Sequence, residues 1–148
     1  MIRRQVHEFS GLELDWLACD EDGFVAMFSS AGFGPVPDAA IAIADSLAEV
    51  FDRIKALPVT GDTAPVSGRT EPDDWIAAAQ RGLFAFDWAH TRNRYQIEAP
   101  PSRPVRLDDI KDELIRQAAE RVRIPVRFSQ LRWIDWDEAG RTSSGAEL

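Results

Sequence analysis

An Asp22-Gly23 pair stands between two short apolar runs and constrains this chain more than any other feature. Ahead of it, Leu12, Leu14, Trp16 and Ala18 alternate with Glu13 and Asp15, the period of a strand with one buried face. Behind it, residues 24–29 return with Phe24, Ala26 and Phe28 in one phase. Glycine accepts the positive φ of a tight hairpin without a steric penalty, so residues 12–29 predict two antiparallel strands. Gly32-Phe33-Gly34-Pro35-Val36-Pro37 follows. Two glycines and two prolines do not continue a strand, and Pro37 suits the first turn of a helix, where its missing N–H costs nothing.

The helix after this corner is predicted to reach about Leu57, ahead of Pro58. Ile43, Leu47, Val50, Phe51, Ile54 and Leu57 recur at three- and four-residue spacing and share one face. Residues 58–71 are rich in Gly, Pro, Thr and Ser and read as a loop long enough to be mobile or functional. A second helix begins near Pro72, with Asp73 and Asp74 in its first turn, and turns Trp75, Ile76 and Ala79 inward.

Residues 83–88 and 94–99 form the next hairpin across His90-Thr91-Arg92-Asn93. A third helix is predicted from Asp108 or Asp109, with Ile110, Leu114, Ala118 and Val122 buried and Asp112–Arg116 paired on its exposed side. Ile124, Val126 and Phe128 alternate as a last strand, with a bulge or strand end near Ser129-Gln130. The predicted architecture is α+β: a mainly antiparallel sheet of about five strands, with three helices mostly on one face, in the order β-β-α-α-β-β-α-β. Residues 1–138 form one domain, led in by the polar residues 1–10, and residues 139–148 an unstructured tail.

Charge narrows the function. The chain of 148 residues has a net charge of −8. Residues 1–80 hold 14 acidic and 5 basic side chains, whereas residues 81–148 hold 11 and 12. Nucleic-acid binding needs a concentrated basic face, so that class is excluded, while the acidic half suits a basic protein partner. The N-terminus has no apolar core of a signal peptide, and the longest apolar stretch, residues 39–44, is far short of a membrane span. With one cysteine, Cys19, no internal disulfide forms; the expected compartment is the cytoplasm.

No motif carries catalysis or a cofactor. An EF-hand register begun at Asp20 places Val25 where the loop glycine belongs and Ala31 where the bidentate glutamate belongs. A phosphate loop at Gly32 and Gly34 loses donors to Pro35 and Pro37 and lacks the following lysine. Cys19 and two histidines, His7 and His90, do not make a metal centre, and Cys19 sits among apolar neighbours as a packing residue. What remains suits contact. Asp20, Glu21 and Asp22 lie on a turn, and Phe33 lies on the following loop. Asp135-Trp136-Asp137 flanks a tryptophan with carboxylates, the composition of a site for a basic partner. Trp136 has an alternative place in the core.

The blocks Asp15-Trp16 through Asp20-Glu21-Asp22-Gly23 to Gly34-Pro35-Val36-Pro37, Gly82-Leu83-Phe84-Ala85-Phe86-Asp87 and Ile97-Glu98-Ala99-Pro100 together resemble small bacterial proteins of uncharacterised families, some of them like immunity proteins of polymorphic or contact-dependent toxin systems. The resemblance spans residues 12–128, implies a small acidic partner of a toxin domain and transfers no catalytic residue. The expected function is a non-enzymatic cytoplasmic protein-binding module that neutralises a basic toxin domain. Two alternatives stand: a small-molecule binder or small enzyme with a pocket between the sheet and the first helix, and a homodimeric structural protein. No cofactor, metal, nucleic acid or membrane enters any of the three.

Overall fold

The computed structural model describes residues 2–3, 14–68, 73–137 and 140–147. Most of the polar lead-in, Leu12 and Glu13 of the first strand, Pro72 at the second helix start, Glu138 and Ala139 lie outside those residues. Eight strands and four α-helices are described. They are β1 (Ile2–Arg3), β2 (Asp15–Cys19), β3 (Val25–Ser29), β4 (Val36–Pro37), α1 (Asp38–Ile41), α2 (Ala44–Lys55), α3 (Asp74–Gln80), β5 (Phe84–Ala89), β6 (Arg94–Ala99), α4 (Glu113–Glu120), β7 (Trp133–Trp136) and β8 (Thr142–Gly145). The α+β class holds, but the sheet has six strands, ordered β2-β3-β5-β6-β7-β8, rather than about five. A separate antiparallel pair joins β1 to β4.

The Asp-Gly hairpin forms as its sequence demands. Gly23 has φ +81°, and Trp16 faces Phe28 across the β2–β3 ladder. The sheet is mixed because β3 and β5 run parallel, Phe28 opposite Phe86. Parallel neighbours require a crossover, and α1, α2 and α3 lie in the connection that provides it. β2 was expected to bury one face, yet Trp16, Leu17, Ala18 and Cys19 are all buried. On one face of the sheet Trp16, Phe28, Phe86, Tyr95 and Trp136 converge, with the Trp16 and Phe28 rings stacked 4.4 Å apart and the Trp136 ring 5.9 Å from Trp16. Trp16 stands on an edge strand and Trp136 near the opposite edge, so the sheet curls to bring them together. The other face carries Ser29, which accepts a hydrogen bond from Trp75 Nε1 of α3 at 3.0 Å.

Three expected elements take different forms. The single helix expected from Pro37 to Leu57 is two, α1 and α2, separated at Ile43, whose backbone (φ −114°, ψ 20°) leaves the helical region. The third helix starts later than Asp109. Residues Leu107–Asp109 make a single 3-10 turn, Ile110 is extended, and Asp112 caps α4 by accepting from the Ile115 N–H at 3.1 Å. Asp112 also takes the Arg53 guanidinium at 3.2 Å, tying α4 to α2, so it does not pair with Arg116; Arg116 bonds the Ile110 carbonyl instead.

The apolar alternation at Ile124, Val126 and Phe128 marks no strand of the ladder. It belongs to an extended segment that runs along the outer edge of β2, through Cys19 N–H to Val122 O, Ile124 N–H to Cys19 O and Glu21 N–H to Val126 O. Phe128–Gln130 then forms a 3-10 turn, and the last expected strand gives way to β7 at Trp133–Trp136. The tail expected to lack structure supplies β8, whose Ser143 faces Asp135 and whose Thr142 faces Trp136. A short polar run such as Thr-Ser-Ser-Gly has no period of its own; β7 imposes the pairing.

The described part of the long loop is strapped down. Thr60 and Gly61 N–H groups donate to the Gln80 carbonyl, Asp62 and Ser102 bond each other, and Val66 N–H donates to the Glu98 carbonyl at 2.8 Å. At the glycine-proline corner, a Cβ on Gly34 would stand 2.6 Å from the Tyr95 hydroxyl, so only glycine fits beneath that ring. Among the described residues no helix is long and apolar enough to cross a membrane.

Candidate functional site

The residues nominated for contact do not share one face. Asp20 is 3% exposed. Its Oδ1 accepts the N–H groups of Asp22 and Phe24, each at 2.9 Å, and its Oδ2 accepts that of Phe128 at 2.8 Å. Burial raises its carboxyl above the ordinary aspartate range against the pull of those three donors. Asp20 is therefore a knot that holds the hairpin turn to the segment after α4. Glu21 and Asp22 reach the surface, where Arg127 lies 3.9 and 3.8 Å from their carboxylates. Arg106 donates to the Asp22 carbonyl and places its guanidinium over the Phe24 ring.

Phe33 follows the opposite end of the β2–β3 hairpin. It is 55% exposed, and its ring lies 5.0 Å from that of His90. Trp136 is 4% exposed and belongs to the aromatic core, which resolves its two readings in favour of burial. Asp137 closes the β7–β8 turn, where its carboxylate accepts both the backbone N–H and the Nε of Arg141. Asp135 stands half-buried in β7 opposite Ser143.

The fold assembles a different acidic feature. Asp15 on β2, Ser29 on β3 and Asp87 on β5 stand in one cross-strand row. The start of α3 brings Asp73, Asp74 and Trp75 against that row, and Ala31 completes the wall of a cleft of about 300 Å³. Four carboxylates from three segments thus surround the half-buried indole of Trp75. Asp73 also caps α3 through the Ile76 N–H at 2.9 Å, and Asp74 pairs with Lys55 at 3.1 Å. Phe33 lies two residues beyond Ala31, and its neighbour His90 three residues beyond Asp87, so the aromatic pair emerges from the same strand ends. The parallel β3–β5 register, which aligns Asp87 with Ser29 and so with Asp15, has no local sequence signal, so this grouping is not legible in the chain.

Other chemistry at the nominated positions is accounted for by packing. Cys19 is fully buried, and burial pushes its thiol further from the thiolate that a nucleophile needs. At the glycine-proline corner the N–H groups of Phe33 and Gly34 donate to the Ser30 carbonyl, and that of Gly32 to the Ser30 hydroxyl. These donors point inward. Among the described residues no group of three or more His, Cys, Asp and Glu side chains is placed to hold a metal ion. The acidic cleft lies between the sheet and α3, and a smaller concavity of about 190 Å³ lies beside Pro37 and Ala39 at the start of α1, against Trp136 and Thr142. No family model, curated protein or solved structure matches the chain.

Proposed function

We propose that this chain is a protein-binding module for a basic partner, acting as an immunity protein acts when it covers a basic toxin domain. The observation that carries the reading is the convergence of Asp15, Asp73, Asp74 and Asp87 on one cleft around Trp75. Carboxylates gathered at a concave surface focus a negative field, which speeds the approach of a cationic surface and sets its orientation. The flat face of an indole accepts a guanidinium or ammonium by cation–π attraction while neighbouring carboxylates accept its N–H groups. Phe33, exposed beside the cleft, adds an apolar anchor of the kind that dominates contact energies. The excess of acid in residues 1–80 adds to the attraction for a cationic partner.

The contact face therefore shifts from the Asp20–Asp22 turn to the opposite end of the β2–β3 hairpin. Affinity purification of the tagged chain with the products of adjacent genes tests the reading. It predicts capture of a basic protein; capture of none, or only of an acidic one, overturns it.

A further inference from the structure

A second concavity lies away from the acidic cleft, where the curled face of the sheet opens beside the Phe128–Gln130 turn. Its volume is about 310 Å³, at the lower end of the ~300–1,000 Å³ range of small-molecule sites. Phe84, Ile97, Phe128 and Leu131 form an apolar floor continuous with the core. Val66 forms one wall. It is an exposed apolar side chain held there because its N–H bonds the Glu98 carbonyl and the adjacent Ser67 hydroxyl bonds the Glu98 carboxylate at 2.6 Å. The long polar loop is thus strapped to the end of β6 with Val66 at this pocket.

The polar part of the lining is Ser129, Gln130 and Arg132. Among the described residues the Arg132 side chain makes no ion pair or hydrogen bond, although the chain carries eight more negative than positive charges. Its backbone is fixed on both sides: its N–H donates to the Gly145 carbonyl at 2.7 Å and its carbonyl accepts from Ile97 at 2.8 Å. A cation on an anchored backbone and an amide donor at the mouth of a hydrocarbon floor match one ligand class. The floor takes an apolar body, and Arg132 with Gln130 takes an anionic head.

We infer that this pocket binds a small apolar monocarboxylate, with its aliphatic or aromatic body on Phe84, Phe128 and Leu131 and its carboxylate on Arg132. The site is separate from the acidic cleft, whose field repels such a ligand, and its occupancy does not depend on a protein partner.

Amide NMR of the full chain titrated with 4-phenylbutyrate tests the inference, with the neutral 4-phenylbutanol and the cationic 4-phenylbutylamine in parallel. Shifts confined to residues 66, 97 and 128–132 are expected. A charge-assisted contact predicts binding of the carboxylate about tenfold tighter than of the alcohol. Arg132→Gln removes that preference without moving other resonances, and Val66→Asn weakens acid and alcohol alike. Absence of saturable shifts with the carboxylate, an amine that binds as well as the acid, or an Arg132→Gln chain that keeps the preference each overturns the inference.

Discussion

Asp20 and Phe128 lie 108 residues apart in the chain, and the Phe128 N–H donates to the Asp20 carboxylate at 2.8 Å. The other oxygen of that carboxylate accepts two N–H groups of its own turn. One buried side chain thus closes the hairpin locally and anchors the chain after α4 to it. Asp20→Ala leaves three backbone donors without their acceptor, at a cost of about 3 kcal/mol or more. Asp20→Asn keeps the Oδ1 contacts, sets an amide N–H₂ against the Phe128 N–H and falls between. Urea denaturation reads both variants; an Ala variant within about 1 kcal/mol of the parent contradicts the assignment.

The same carboxyl makes stability depend on pH in an unusual direction. Burial holds the folded Asp20 carboxyl above the ordinary aspartate range, and the N–H donors of Phe128, Phe24 and Asp22 offset this only in part. As pH rises from the ordinary aspartate value to the raised folded one, the unfolded chain releases its proton first, so this group's contribution to stability falls across that window. Asp112 has the opposite sign. Burial pushes it up, but the Ile115 N–H and the Arg53 guanidinium outweigh that and lower it, so its stabilisation is present above the ordinary aspartate value and disappears as pH falls through the depressed one. Carboxyl-carbon NMR titration is expected to place Asp20 above Asp112; the reverse order contradicts both assignments.

Tyr95 ties the aromatic core to the glycine-proline corner. Its buried hydroxyl accepts from Trp16 Nε1 at 3.3 Å and donates to the Pro35 carbonyl at 2.9 Å. Tyr95→Phe strands both partners and costs about 1–3 kcal/mol in denaturant unfolding. Gly34→Ala drives a Cβ into the same hydroxyl. Removing the hydroxyl relieves part of that clash, so the double variant loses less than the sum of the two. Strict additivity would separate Gly34 from Tyr95.

β8 covers β7 and the edge of Trp133, whose Nε1 donates to the Glu147 carboxylate at 3.0 Å while Arg94 stacks over its ring at 4.6 Å. A chain ending at Asp137 loses this cover and is expected to melt roughly 2–4 °C or more below the full chain, the shift that a loss of about 1 kcal/mol produces. An unchanged melting temperature would make β8 an ornament.

Local chemistry made several elements legible. Asp22-Gly23 fixed the first hairpin, the aromatic alternation of residues 83–88 fixed β5, and Asp73 marked the start of α3 through the cap it forms with Ile76. Features set by distant partners were not legible. The alternation of Ile124, Val126 and Phe128 is real, but which strand accepts that segment depends on the exposed edge of β2. Asp20 looks like any solvated turn acid until Phe128 arrives above it. Thr142–Gly145 becomes a strand only because β7 presents an open edge. The acidic cleft is of the same kind: Asp15 and Asp87 are 72 positions apart in the chain and meet only through the β3–β5 register.

The central claim is that this cleft receives a basic partner, and co-purification with adjacent-gene products tests it most directly when done with two forms of the chain at two ionic strengths. One form is the parent, and the other carries Asp15→Asn, Asp74→Asn and Asp87→Asn, which leave the α3 cap at Asp73 intact. The account predicts that the parent retains a basic protein at low salt, releases it as salt screens the field, and that the triple variant retains little at either. Retention of no basic protein by the parent, or equal retention by a folded triple variant, would contradict it.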